Sequence, residues 1–128
     1  MEQKDRIIRA RQKNARILTD GLRGLEEHLQ LPTSPEDRQH MFMVYPIVLR
    51  HEAKTGLVNF LEDRGIETRD LLPLINQPVY RRIFGDLESQ YPVARWLNHS
   101  GFYIGCHPYL SRADLQRVIE TIGRYFKK

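Results

Sequence analysis

The stretch "GFYIGCHPYLS", residues 101–111, contains the chain's only cysteine, a histidine beside it, and the junction on which the fold turns. Gly101 ends whatever precedes it, and FYIGCH reads as a strand. Phe, Tyr, Ile and Cys all tolerate burial, so alternation does not reveal which face is inside. Pro108 ends the strand in a turn. Ser111, with Asp114 three residues later, has the form of a capping box in which Asp replaces the usual Glu. The last helix therefore starts just after Ser111, and Leu115, Val118, Ile119, Ile122 and Phe126 recur along it at helical spacing. Neighbours on a strand point to opposite faces, so Cys106 and His107 do not converge as a thiol–imidazole pair. Cys106 is expected to be packing.

Upstream, PVARWLNHS (92–100) opens with proline at a plausible first helical position and puts Val93, Trp96 and Leu97 on a common side. Between Pro73 and Pro92 the prolines and the polar GDLESQ predict irregular chain with one helical turn over 79–84. That length suits a functional segment better than a bare link. IETRDLL (66–72) reads as a short strand. The helix before it carries Leu57, Val58, Phe60 and Leu61 on one side and ends at Gly65, where glycine adopts a left-handed backbone most easily. MFMVYPIVLR (41–50) is a further strand, in which Pro46, lacking an amide hydrogen, calls for an edge or a bulge. At the start, Ile8, Ala15, Leu22 and Leu29 recur every seventh residue with Leu18 and Leu25 between them, predicting one amphipathic helix over about 3–30, ended by LPTSP. Its stripe is narrow and has no obvious local partner. Trp96, Phe102, Tyr103 and Tyr109 are expected in the core.

These elements predict an α+β fold: a small, mostly antiparallel sheet of three to four strands packed on helices, with a long N-terminal and a C-terminal helix. With 128 residues, the chain has the size of one domain. Residues 1–128 are read as that domain, with 1–30 as a linker-type helix within it.

Composition excludes several classes of function. No apolar run approaches the roughly 20 residues of a membrane-spanning helix. The charged start lacks the apolar segment of a secretory signal, so a cytoplasmic location is expected. A single cysteine makes no internal disulfide, and no Cys/His spacing suits zinc. The five histidines form no metalloprotease pattern. The net charge of +4 raises the question of a polyanionic partner. The basic residues of the first helix are interspersed with acids and carry no aromatic for base stacking, which reads as a solvated face and not as a nucleic-acid surface. Two residues stand out without deciding their own roles. Arg69, between a strand and an irregular loop, either clamps a carboxylate or phosphate or pairs with Glu67 or Asp70. His107 either lines a cleft at the strand end or hydrogen-bonds a loop carbonyl.

The order of the pieces carries a resemblance. A helix with Arg11, Asn14, Ala15 and Leu18 in R-x-x-N-A-x-x-L leads to "RGIETR", "NQPVY", "YPVARWLNHSGFYIGCHPYLS" and "LQRVIETI". Over nearly the whole chain this resembles the C-terminal portion of the DegT/StrS family of pyridoxal-phosphate-dependent sugar aminotransferases. Intact members are about three times longer, and their large domain carries the Schiff-base lysine and the cofactor contacts. The resemblance implies a homodimeric intact enzyme that moves an amino group, expected from glutamate, to a nucleotide-linked keto-sugar. It further implies that the first helix links the two domains and packs partly on the large one. Arg69 falls on the Arg of the family's "GI-x-T-R", near the substrate side. Where many relatives read P-L-H, this chain has Pro73-Leu74-Ile75, and Asn76 stands in as the polar contact.

Arg69, Asn76 and His107 are thus the expected substrate contacts, with no catalytic, cofactor-binding or metal-binding residue expected. Lys4, Lys13, Lys54, Lys127 and Lys128 sit at flanks or on probable helix surfaces, whereas a Schiff-base lysine needs a desolvated pocket. The isolated chain is expected not to transaminate and to need its missing large domain. The other reading is a non-catalytic assembly module that docks a partner chain through the N-terminal helix.

Overall fold

The computed structural model describes residues 2–127. Helix α1 runs Glu2–Leu22 and gives way to a 3₁₀ turn at Arg23–Leu25. Four strands follow among helices: β1 Leu29–Gln30, β2 Val44–Leu49, β3 Thr68–Asp70 and β4 Gly101–Gly105. The helices are α2 Lys54–Glu62, α3 Pro78–Phe84, α4 Pro92–Ser100 and α5 Arg112–Phe126, with a second 3₁₀ turn at Leu74–Asn76. The sheet order is β1-β2-β4-β3, antiparallel throughout. The expected α+β class is what forms.

Register explains the core. Tyr45 opposes Ile104 and Ile47 opposes Phe102 across β2 and β4, and Thr68 of β3 opposes Ile104. These side chains share one face, which is sealed by Leu18 and Leu22 of α1, Leu57 and Leu61 of α2, and Leu115 and Ile122 of α5. Removing each such side chain from water contributes about 1.5–3 kcal/mol. Cys106 lies in the same core and is fully buried. Burial pushes its thiol up to about 11, outweighing the lowering influence of Arg11. That suits an inert packing residue.

α5 forms as its sequence predicts. The Asp114 amide donates to Ser111 Oγ at 3.1 Å, and Asp114 Oδ2 accepts from the Ser111 amide at 2.8 Å. The Ser111 hydroxyl, donating to Asp114 Oδ2 at 2.6 Å, and then the Ser111 amide hold the Asp114 carboxyl below its ordinary value. Gly65 takes a φ of +73° just past α2, the left-handed conformation that a side chain would strain. At Gly101, where α4 runs straight into β4, a Cβ would lie 2.5 Å from the Leu97 carbonyl oxygen. Only glycine fits that junction.

Three expectations about the elements change. The first helix stops at Leu22 and does not reach residue 30: Leu29 belongs to β1, where it pairs with Leu49 and is fully buried. A sevenfold repeat that ran on past the helix end had hidden that turn. Nor does α1 lack a partner, because Asn14, Ala15, Leu18 and Leu22 are buried in this domain's own core. Between Pro73 and Pro92 there are two helical pieces, not one turn. Pro46 is accommodated as expected: β1 pairs only with Leu49 and Val48, so at Pro46 one side of β2 is an open edge.

Candidate functional site: two polar places at opposite ends of β4

The first place lies beyond the C-terminal end of β4. β3 ends its pairing at Thr68 opposite Ile104, so Gly105 and the turn after it have no neighbouring strand on that side. A cavity of about 390 Å³ opens there, floored by Ile66, Ile104, Leu115 and Val118 and edged by Arg69, Tyr103, His107, Asp114 and Arg117. Its charged rim is largely self-satisfied. Arg69 binds Glu67 through Nη2 and donates from Nη1 to the Thr68 carbonyl at 2.9 Å. Of the two roles open to Arg69, the pairing with Glu67 is the one seen. Arg117 Nη2 donates to the Arg64 carbonyl at 2.5 Å. His107 is exposed, its ring 6.4 Å from that of Tyr109. Its carbonyl accepts from Asn14 Nδ2 at 2.8 Å, which ties the turn to α1. Asn14 is therefore the reason α1 carries a buried polar residue.

The second place lies at the opposite end of β4, around Glu88. Its Oε1 accepts from Asn76 Nδ2 at 2.7 Å and lies 3.2 Å from His99 Nε2, while Arg95 Nε stands 3.9 Å from Oε2. Partial desolvation works to raise the Glu88 pKa, but the bonds from Asn76 and His99 prevail and hold the carboxyl below its ordinary value. Asn76 is only 7% exposed, and its Oδ1 has no hydrogen-bond partner. A buried acceptor left this way is costly.

Of the expected contacts, the structure thus brings Arg69 and His107 to one cavity and sends Asn76 to the other end of the strand. Glu88 and His99 gave no usable signal in the sequence. Glu88 lies in irregular chain, 12 residues from Asn76 and 11 from His99, with no periodicity connecting them. Two other expectations are corrected. Tyr109 is 87% exposed, because the turn after Pro108 carries it away from the sheet. Lys54 is not on a helix surface: its side chain is 16% exposed, and Nζ donates to Asp70 Oδ1 at 2.8 Å and to the Asn98 and Gly101 carbonyls at 3.0 and 3.2 Å.

Schiff-base chemistry needs a lysine that can become a neutral amine in a desolvated pocket. Among the described residues Lys4, Lys13 and Lys127 are exposed, and Lys54 is committed to three acceptors. Lys128 lies outside the described residues. Among the described residues, the lysines do not fit pyridoxal phosphate as a covalent cofactor. No group of three or more His, Cys, Asp or Glu among the described residues is arranged to hold a metal ion, and no helix is long and apolar enough to cross a membrane.

The same fold forms about a third of much longer solved proteins. The S. venezuelae protein DesV, solved with a ketimine intermediate, superposes with a TM-score of 0.85 at 22% identity over 97% of this chain and 33% of its own. Spr1654 from Streptococcus pneumoniae, solved in its PLP-form, matches with a TM-score of 0.81 at 16% identity, over 94% of this chain and 31% of that one. In sequence, a dTDP-4-dehydro-2,6-dideoxy-D-glucose 3-dehydratase from Saccharopolyspora spinosa is 28% identical over 93% of this chain and 27% of its own length. The sequence profile of the DegT/DnrJ/EryC1/StrS aminotransferase family matches residues 1–123, and the chain belongs to that family. It spans about a third or less of the length of these relatives.

Proposed function

We propose that this chain corresponds to the small, C-terminal domain of a pyridoxal-phosphate-dependent nucleotide-sugar aminotransferase in which the larger part holds the cofactor, and that these residues are silent by themselves. The observation that carries this reading is a family match over residues 1–123 in a chain about a third as long as the solved relatives. The intact enzyme would be a cytoplasmic homodimer taking its amino group from glutamate. Because one relative of similar match is named as a 3-dehydratase, the choice between amino transfer and dehydration is assigned to the larger part. This chain would close the cleft over the sugar.

Asn76 is proposed as the sugar contact, since it sits with Glu88 and His99 and its buried Oδ1 is free to accept from a hydroxyl. Arg69 and His107 are proposed as contacts for an anionic group at the cavity they share. The test is to mix the purified chain with pyridoxal phosphate, treat with borohydride and map the peptides. The expected result is scattered, substoichiometric labelling of surface lysines. One cofactor per chain fixed on a single lysine would overturn the reading that this chain holds no cofactor, and conversion of a keto-sugar by the chain unaided would overturn its silence.

A further inference from the structure

Ten large apolar side chains are exposed among the described residues, and seven of them fall between Leu72 and Val93. They include Val79, Ile83 and Phe84 of α3, with Ile83 at 65% and Phe84 at 60% exposure, and Tyr91 and Val93 where α4 begins. Neither α3 nor α4 has a single buried residue. Clustering of this kind departs from the scattered apolar surface of an ordinary monomer and marks a contact surface.

The layer also lacks the means to hold itself. α3 has seven residues, far below the length at which a helix persists in water without tertiary packing. Tyr80 and Phe84 stack on each other with centroids 6.2 Å apart, and Phe84 stays 60% exposed. The Glu88 bonds to Asn76 and His99 hold the layer together within itself. It is tied to the sheet by the Trp96 indole donating to the Leu49 carbonyl at 3.2 Å and by Lys54 Nζ donating to the Asn98 carbonyl at 3.0 Å, with Trp96 and Leu97 only half-buried. α1 differs, since Ala15, Leu18 and Leu22 of its apolar stripe are buried in the core.

We infer that the α3–α4 face, and not the N-terminal helix, is the surface on which the remaining two thirds of a family-length polypeptide packs, with Ile83 and Phe84 as its apolar anchors. The inference rests on the small-domain reading above. What identifies the occupant is that the solved relatives carry this same fold, matched over 94–97% of this chain, together with about twice as much additional polypeptide. The partner's matching surface would be apolar at its centre. Its rim would be acidic, to meet Arg81, Arg82 and Arg95, which are exposed around the face.

The test joins the full chain to the remainder of the S. venezuelae relative in place of that protein's own matching third, and measures amide exchange in α3 in the chimera and in the isolated chain. The expected result is exchange slowed at least tenfold in the chimera. I83D/F84D in the chimera should restore the fast rate, while leaving the exchange of β2 and β4 in the isolated chain unchanged. A folded, cofactor-loaded chimera whose α3 exchanges as freely as the isolated chain would overturn this inference and leave the small-domain reading standing. A chimera that fails to load cofactor while the isolated chain remains folded would overturn both. Concentration-dependent protection of α3 in the isolated chain, abolished by I83D/F84D, would make a second copy the occupant and also overturn it.

Discussion

The sheet with α1, α2 and α5, and the layer built from α3 and α4, are parts of one short chain held together by different forces. In the first region, three helices close over one face of β2 and β4, and the largest side chains are fully buried. In the second, no helix residue is fully buried: Trp96 and Leu97 are half-buried, and the polar ties are a carboxylate with its donors, one indole bond and a lysine bridge. Hydrophobic closure is self-sufficient, whereas polar ties between exposed helices are individually worth about 1 kcal/mol and compete with water. The difference teaches which part of the domain is finished and which awaits a surface.

Substitutions can break or sharpen that contrast. Phe102→Ala should cost about 3–5 kcal/mol in urea unfolding, by transfer and cavity terms together. Phe84→Ala, the same change on the open face, should stay within about 0.5 kcal/mol in the isolated chain. Equal effects would erase the distinction. Lys54→Met should cost about 1–3 kcal/mol, because the Asn98 and Gly101 carbonyls at the α4–β4 junction lose their donor. Ser111→Ala should cost about 1 kcal/mol by removing the cap of α5, an effect confined to the closed region.

The smallest effect expected is on pH dependence. The Glu88 carboxyl is held below its ordinary value of 4.5, so its contribution is fully present above that pH and is lost as pH falls through the lowered value of the folded state. Asn76, His99 and Arg95 favour its charge, and Asp86 opposes it. Acid should therefore loosen α3 and α4 first, seen as a rise in amide exchange there, and Glu88→Gln should remove that part of the pH response.

Legibility followed the same division. The capping box of α5 and the glycine after α2 were readable because their signals are local, spanning three or four residues. The end of α1 was not, because Leu29 owes its place to a pairing with Leu49 twenty residues away, while its sevenfold spacing continued the helical pattern. Tyr109 has a core residue's chemistry and a turn residue's position, and position prevailed. The Glu88 cluster was unreadable for a related reason: its three partners come from a 3₁₀ turn and a helix, brought together only when the irregular chain folds back. Single residues such as Arg69 and His107 could be placed near a strand end, but only the fold shows which partners they reach.

Native-state amide exchange of the isolated chain, followed residue by residue, tests the central claim most directly. The account predicts that β2, β4 and α5 open only with global unfolding, while α3 exchanges orders of magnitude faster in the same molecule. Equal protection of α3 and the strands in a monomer would contradict it.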